Sequence, residues 1–378
     1  MDDLNRRRFL EATSIGVGVS SIAGSEATNA ATSTSSLARR RAGPKKRALM
    51  KVGEVSSAEV CTNFPFLARF GVHHTCGWYE NDMVNPSVPT VEQLTKLRDE
   101  ANKYGIDIVM TNCFIGRGLS GIMLGDSRRD AEIEAFQNTI RNCAAAGIPA
   151  IKYYLSLLQV MRSGTTKGRG DLIYNTWNYD NAKPPTDLTP AGQVDADLYW
   201  ERITYFLDRV VPVANEFKVR LAQHPHDPPQ GPRGYQGIDQ VLGTVEGLKR
   251  FVSIQESPYH GLNFCQGTVA EMLKNPAVEI YDVIRFFGER KKIFSVHFRN
   301  IKGHRGDFVA EIPPDVGDVD MAKAMRVYRD VGYDGIICVD HISPLAPEVQ
   351  NKKEVELQEW AYGFGYIRAL IQAVDEST

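Results

Sequence analysis

The chain has 378 residues, with 44 basic and 46 acidic side chains and a formal net charge of −2. That near-balance supplies no overall basic field for nucleic acid and no acidic tail. With 43% hydrophobic and 24% charged residues the composition is that of an ordinary globular chain, long enough for one large α/β barrel or two smaller domains.

Residues 5–11 read NRRRFLE and precede a weakly apolar Gly/Ser/Ala-rich run from Ala12 to Gly24. This resembles the twin-arginine export signal, (S/T)-R-R-x-F-L-K, with Asn5 and Glu11 replacing two of its residues. Residues 1–30 are read as that signal, and the alternative is an amphipathic or unstructured tail. The apolar run is too short to span a bilayer, so no stable membrane anchor is expected. The reading places the protein in the periplasm or outside the cell, delivered by the twin-arginine machinery, or in the cytoplasm if the signal is unused. Residues 31–48, Ser/Thr/Ala-rich with clusters at Arg39-Arg40-Arg41 and Lys45-Lys46-Arg47, read as a disordered basic linker. The six cysteines are scattered without a CxxC pair, and several sit inside apolar runs, where a free thiol packs as a small hydrophobe.

From Leu49 to the end, short β-prone runs alternate with amphipathic ones. The spacing predicts strands at 49–55, 71–78, 106–113, 149–155, 218–224, 261–267, 293–300 and 335–341. Helical periodicity marks 91–105, 130–147, 198–217, 320–332 and 357–374. Eight such units specify the α/β class and a (β/α)8 TIM barrel over 49–378, whose active site would lie at the C-terminal strand ends. An open doubly wound sheet is the alternative, but no GxGxxG follows the first strand. The polar segment 156–194 after the fourth strand is expected to form a lid.

The stretch IFSVHFRN, 293–300, places Ser295, His297 and Arg299 on one strand face and Phe294, Val296 and Phe298 on the other. A face bearing imidazole and guanidinium suits a metal or a bound anion. Three neighbouring strands also end in ligand-type residues: His224, Cys265 and Asp340. Two imidazoles, a thiolate and a carboxylate can complete a divalent-metal site with positions left for substrate. The alternative is a core cysteine and a loop-capping histidine. Ligand softness alone points to Zn²⁺ or Fe²⁺.

HPHDPP (224–229), GLNFCQGT (261–268), VHFRN (296–300), GDVDM (317–321) and VDH (339–341) together resemble the mannonate dehydratase family of metal-dependent barrel lyases. The similarity covers residues 150–341 well. In the first third only the paired His73-His74 is reminiscent of a family dihistidine. The resemblance implies that His224, Cys265, His297 and Asp340 bind the metal, Mn²⁺, with Arg299, Asn300, Glu311 and Asp320 around it. It also implies dehydration of a small sugar acid such as D-mannonate to a 2-keto-3-deoxy acid. Arg299 and Glu311 are expected in catalysis, Arg299 by forking onto the substrate carboxylate, and Asn300 and Asp320 in substrate binding. His341 is expected to transfer a proton. His226, where the family has aspartate, is either a substrate contact or a surface histidine. The family's loop tyrosine after the closing Asp-His has no counterpart before Tyr362. A homo-oligomer is expected. A sugar isomerase or epimerase on the same barrel, or a non-catalytic sugar or metal binder, is the alternative function.

Overall fold

The computed structural model describes residues 46–78, 87–182, 188–231 and 234–376. The segment read as an export signal and most of the one read as a linker fall outside these residues. Eight parallel strands form the barrel: β1 (Lys51–Val52), β2 (His74–Gly77), β3 (Asp107–Cys113), β4 (Ala150–Tyr153), β7 (Arg220–Gln223), β8 (His260–Cys265), β9 (Ile293–His297) and β12 (Ile336–Cys338). These coincide with the eight strands expected from sequence. The order β1-β12-β9-β8-β7-β4-β3-β2 closes where Glu54 pairs with Thr75, through Glu54 N to His74 O at 3.1 Å and Cys76 N to Glu54 O at 2.9 Å. Strands β8 and β9 are buried along their whole length, because one face fills the barrel and the other packs under helices.

The helices start where side chains can take up orphan N–H groups. Thr90 and Gln93 form a reciprocal capping box on α3 (Val91–Asn102), and Asp195 caps α6 (Ala196–Phe217). Thr244 caps α7 (Val245–Ser253), and Asp320 caps α10 (Met321–Asp330). Helix α5 (Arg129–Ala145) packs between α3 and α6. Six helices lie outside the stretches marked by helical periodicity: α1 (Ala58–Cys61), α2 (Phe64–Arg69), α4 (Gly121–Leu124), α7, α8 (Gln266–Glu271) and α9 (Pro276–Glu289). Of these α8 is a short, fully buried continuation of β8, so it has no polar face to reveal it. The last helix, α11 (Lys352–Val374), lies against β1 and β12, where Gly363 meets Val339.

The segment expected as a lid carries strands. It supplies β5 (Gly164–Lys167) and β6 (Ile173–Asn178) to a second sheet, entirely antiparallel. The other two strands, β10 (Asn300–His304) and β11 (Asp307–Ile312), follow β9 directly and complete the order β10-β11-β6-β5. Two insertions far apart in sequence thus build one sheet at the C-terminal end of the barrel. His73 and His74 stand at the opposite end: His74 opens β2 opposite Asp107, and His73 Nδ1 donates to Gly105 O at 3.0 Å.

A Cβ on Gly363 would lie 2.5 Å from Val339 Cγ2. Gly363→Val should therefore lift α11 off the barrel and lower stability by about 1–3 kcal/mol, read as a reduced urea midpoint with secondary structure retained.

Candidate metal centre

Cys265 closes β8, His297 closes β9 directly opposite it, and Cys338 of β12 is level with His297. His224 follows β7, and Asp340 lies two residues beyond β12. Asp340 has φ +78°, the left-handed region that strains a non-glycine residue. Asp340 stands two residues past Cys338, on the strand face that Cys338 shares with His297 and Cys265. The ligand atoms of His224, Cys265 and His297 lie within 4.8 Å of one another. Asp340 touches two of the three: the Cys265 thiol donates to Oδ2 at 3.5 Å, and His297 Nδ1 lies 2.7 Å from Oδ1.

The donor chemistry fits a divalent cation. His297 turns Nδ1 toward Asp340 Oδ1 at 2.7 Å and leaves its buried Nε2 with no hydrogen-bond partner. A buried ring nitrogen without a partner is costly unless a ligand completes it. His224 donates from Nδ1 to Pro225 O at 2.7 Å, which turns Nε2 out as a lone-pair donor. Burial holds both imidazoles neutral, His224 pushed down to about 3 and His297 to about 4. Burial, reinforced by Asp340, pushes the Cys265 thiol up to about 12. Donors nevertheless face the sulfur: Thr268 Oγ1 at 3.1 Å, Thr268 N at 3.4 Å and Arg299 Nη2 at 3.7 Å. They would stabilise a thiolate once a cation displaced the proton.

Around this cluster lies a buried ionic network. Arg299 donates from Nε to Asp340 Oδ2 at 3.2 Å, from Nη1 to Glu271 Oε1 at 2.6 Å, and from Nη2 to Asp227 Oδ2 at 3.1 Å and Thr268 Oγ1 at 2.9 Å. Arg162 grips Asp227 and Glu311, with contacts of 2.6 Å to each. Burial pushes Glu271 above the usual carboxylate range, against the pull of Arg299. Burial also works against Asp227, Glu311 and Asp340. Arg162 outweighs it at Asp227 and Glu311, whereas the His297 Nδ1 group facing it at 2.7 Å, together with His341 and Arg299, holds Asp340 well below the usual carboxylate range.

Several expected roles change. Arg299 is not a clamp for a substrate carboxylate, because it is fully buried and its N–H groups are spent on protein partners. Glu311, with φ +48°, is likewise locked onto Arg162 instead of facing a reactant. Asn300 makes no room for substrate. Its Nδ2 donates to Pro314 O and Val319 O, and its Oδ1 accepts from Ile301 N and Val319 N. Asp320 is an exposed helix cap, accepting from Lys323 N at 2.8 Å. His226 is neither at the surface nor a substrate contact: it is buried, donating from Nε2 to Leu155 O at 2.8 Å and accepting at Nδ1 from Leu242 N at 3.3 Å. His341 is 55% exposed, with Nε2 3.5 Å from Asp340 Oδ1. It shares the wall of a cavity of about 350 Å³ with Tyr362 of α11, which brings a tyrosine to the cavity that the loop itself lacks.

The network residues Arg162, Asp227, Glu271 and Thr268 were not singled out from sequence. Asp227 and Thr268 lie inside the quoted HPHDPP and GLNFCQGT stretches, and their motif positions were the available signal. Arg162 and Glu271 carry no local mark. The last glycine of that second stretch has a spatial reason, since a Cβ on Gly267 would fall 2.7 Å from Arg299 Nε.

Fold and site together define a (β/α)8 barrel with a His/Cys/His cluster suited to a metal at its C-terminal mouth. Among solved structures it resembles mannonate dehydratase from Streptococcus suis serotype 2, with TM-score 0.70, 21% identity, and 86% of this chain and 95% of that one covered. A xylose isomerase domain protein from Planctomyces limnophilus matches with TM-score 0.55 and 13% identity over 87% and 99% of the two chains. Among curated proteins, the mannonate dehydratase of Thermotoga petrophila is 28% identical over 320 residues, 76% of this chain and 86% of its own. That of Shouchella clausii is 28% identical over 301 residues, 70% and 80% of the two. The family model D-mannonate dehydratase (UxuA) matches residues 183–378. The chain belongs to the D-mannonate dehydratase family.

Asn300→Ala should lower stability by about 2–4 kcal/mol, since it strands several buried partners, while leaving the KM for substrate near wild type. Urea unfolding and steady-state kinetics on the one variant check both halves.

Proposed function

We propose that the protein is a metal-dependent hydro-lyase that removes water from a sugar acid such as D-mannonate to give 2-keto-3-deoxy-D-gluconate. The observation that carries this reading is the buried His224/Cys265/His297 cluster, with Asp340 in contact, at the C-terminal mouth of a barrel of this family. These four residues would hold the cation. Mn²⁺ is the assignment the family resemblance favours, and the thiolate keeps Fe²⁺ or Zn²⁺ in contention.

When bound, the cation withdraws charge from oxygens next to C2 of the substrate, which eases loss of the C2 proton. His341 is the accessible titratable group beside the cluster, so it carries a proton either from C2 or to the departing 3-hydroxyl. Arg299 holds Asp340 and Cys265 in register, and the second sheet serves as the lid that excludes water. Residues 1–30 direct export by the twin-arginine route, residues 31–48 act as a linker, and the enzyme works as a homo-oligomer.

The direct test incubates Mn²⁺-loaded protein with D-mannonate and assays the 2-keto-3-deoxy acid. Formation of that acid is expected. Deuterium exchange at C2 without dehydration would instead support a sugar isomerase or epimerase. His297→Ala and Cys265→Ala should each lose bound metal while remaining folded, and stoichiometric metal in both would overturn the ligand set. His341→Ala should keep its metal and lose about 10²–10⁴-fold in kcat, whereas near-normal turnover would remove it from proton transfer.

A further inference from the structure

We infer that Arg162 is a positioning residue that couples the second sheet to the metal centre, an inference that rests on the metal-dependent reading above. Arg162 lies between β4 and β5, outside every barrel strand. Its guanidinium is wholly committed to protein. Nη1 donates to Asp227 Oδ1 at 2.6 Å and Met161 O at 2.8 Å. Nη2 donates to Asp227 Oδ2 at 3.0 Å and Glu311 Oε1 at 2.6 Å, and Nε to Glu311 Oε2 at 3.2 Å. Each carboxylate is thus held by two contacts, a geometry that arginine provides and lysine does not.

These contacts join three separate parts of the chain: the first insertion, the loop after β7 and strand β11. From Asp227 the path continues inward. Its Oδ2 also receives Arg299 Nη2 at 3.1 Å and Thr268 Oγ1 at 3.3 Å. Arg299 then reaches Asp340 Oδ2 at 3.2 Å and Cys265 Sγ at 3.7 Å. Both halves of the second sheet are therefore linked to two of the four residues of the cluster through an unbroken chain of charged contacts.

Charge explains why the link transmits strain. Asp227 is shared between two guanidinium groups, and Arg299 between Asp227, Glu271 and Asp340. Without Arg162, Asp227 and Glu311 would be buried with a single arginine between them. Arg299 lies 4.0 Å from Glu311 already, so it would be drawn toward those two carboxylates and away from Asp340 and Cys265. A buried ion network contributes little net stability compared with apolar packing of equal volume. Setting the orientation of metal-binding side chains is a role that such a network does serve. Coupling of this kind is reciprocal: what the sheet does for the metal, the metal must do for the sheet.

The test uses the full chain and Mn²⁺ alone, with no substrate. Arg162→Ala should weaken Mn²⁺ binding about 10–100-fold. Arg162→Lys, which keeps the charge and loses the fork, should weaken it by a smaller factor and covers the case in which the alanine variant does not fold. Lys167→Ala, an exposed change on β5, should bind as wild type. In wild-type protein Mn²⁺ should slow amide exchange at 164–178 and 307–312, and in Arg162→Lys that slowing should disappear. A residue that only stabilised the fold would lower the melting temperature without moving either readout. Folded arginine variants that bind Mn²⁺ within twofold of wild type, or a wild-type sheet whose exchange ignores Mn²⁺, would overturn the coupling. Wild-type protein that binds no Mn²⁺ would overturn the coupling and the metal-dependent reading together. Coupling without product from D-mannonate would remove the proposed reaction alone. Normal dehydration with unchanged Mn²⁺ affinity in Arg162→Lys would remove the coupling alone.

Discussion

Arg299 is the group on which the architecture of this site turns. It is a permanently charged side chain, fully buried at the barrel mouth, and its burial is tolerable only because carboxylates surround it. The surrounding acids are not equivalent. Glu271 is pushed above the usual carboxylate range by its burial, and one of its oxygens lacks any hydrogen-bond partner. Asp227 and Glu311 are matched by Arg162. Asp340 is left as the carboxylate that faces His297 and Cys265, so the negative charge collects where a cation would need it. Gly267 keeps the space this guanidinium occupies, which makes a motif glycine a packing requirement and not a turn requirement.

The barrel carries the cluster on adjacent strand ends, and adjacent ends in a barrel do not ordinarily converge at one height. Two local devices bring these together. Cys265 ends its strand by capping the helix that follows, so its sulfur is fixed by Thr268. Asp340, itself in the left-handed region just past its strand, brings its carboxylate to Cys265 and His297. Glu311 uses the same backbone region at the end of β11. Strained non-glycine residues at two positions of one network fit a site whose geometry is held by its surroundings and not by local preference.

The second sheet gives the barrel mouth a rigid edge where a long connection might be expected. Its strands come from the crossovers after β4 and after β9, and neither hairpin would be independently stable without the other. Arg162 stands at the base of this sheet with both carboxylates in its grip. Chemistry at the mouth is thereby divided: the buried arginines set the positions of other groups, while His341, half in solvent, is the one imidazole of the site with freedom to exchange protons. The cavity it shares with Tyr362 places a phenol from α11 where the loop after Asp340 offers none.

Read from sequence, the eight strands, their alternation with helices and the four strand-end side chains were all legible, because β period, helix period and residue type are local properties. His224, Cys265, His297 and Asp340 could be picked out since each ends an apolar run. Local pattern is silent about which polar groups meet across the chain. Arg162 and Asp227 are 65 residues apart, and Arg162 and Glu311 are 149 apart, so nothing in either neighbourhood announces the pairing. For the same reason Asn300, Asp320 and His226 looked like site residues when their partners were loop carbonyls, a helix start and a core tyrosine. The strands inside the 156–194 lid segment are not legible because β5 and β6 are short, and β11, which joins β6 to the rest of the sheet, lies more than a hundred residues further on. Strand-end chemistry is written along the chain. Buried charge pairing is decided by the folded geometry alone, because a guanidinium can be taken out of water only where several distant carboxylates arrive together.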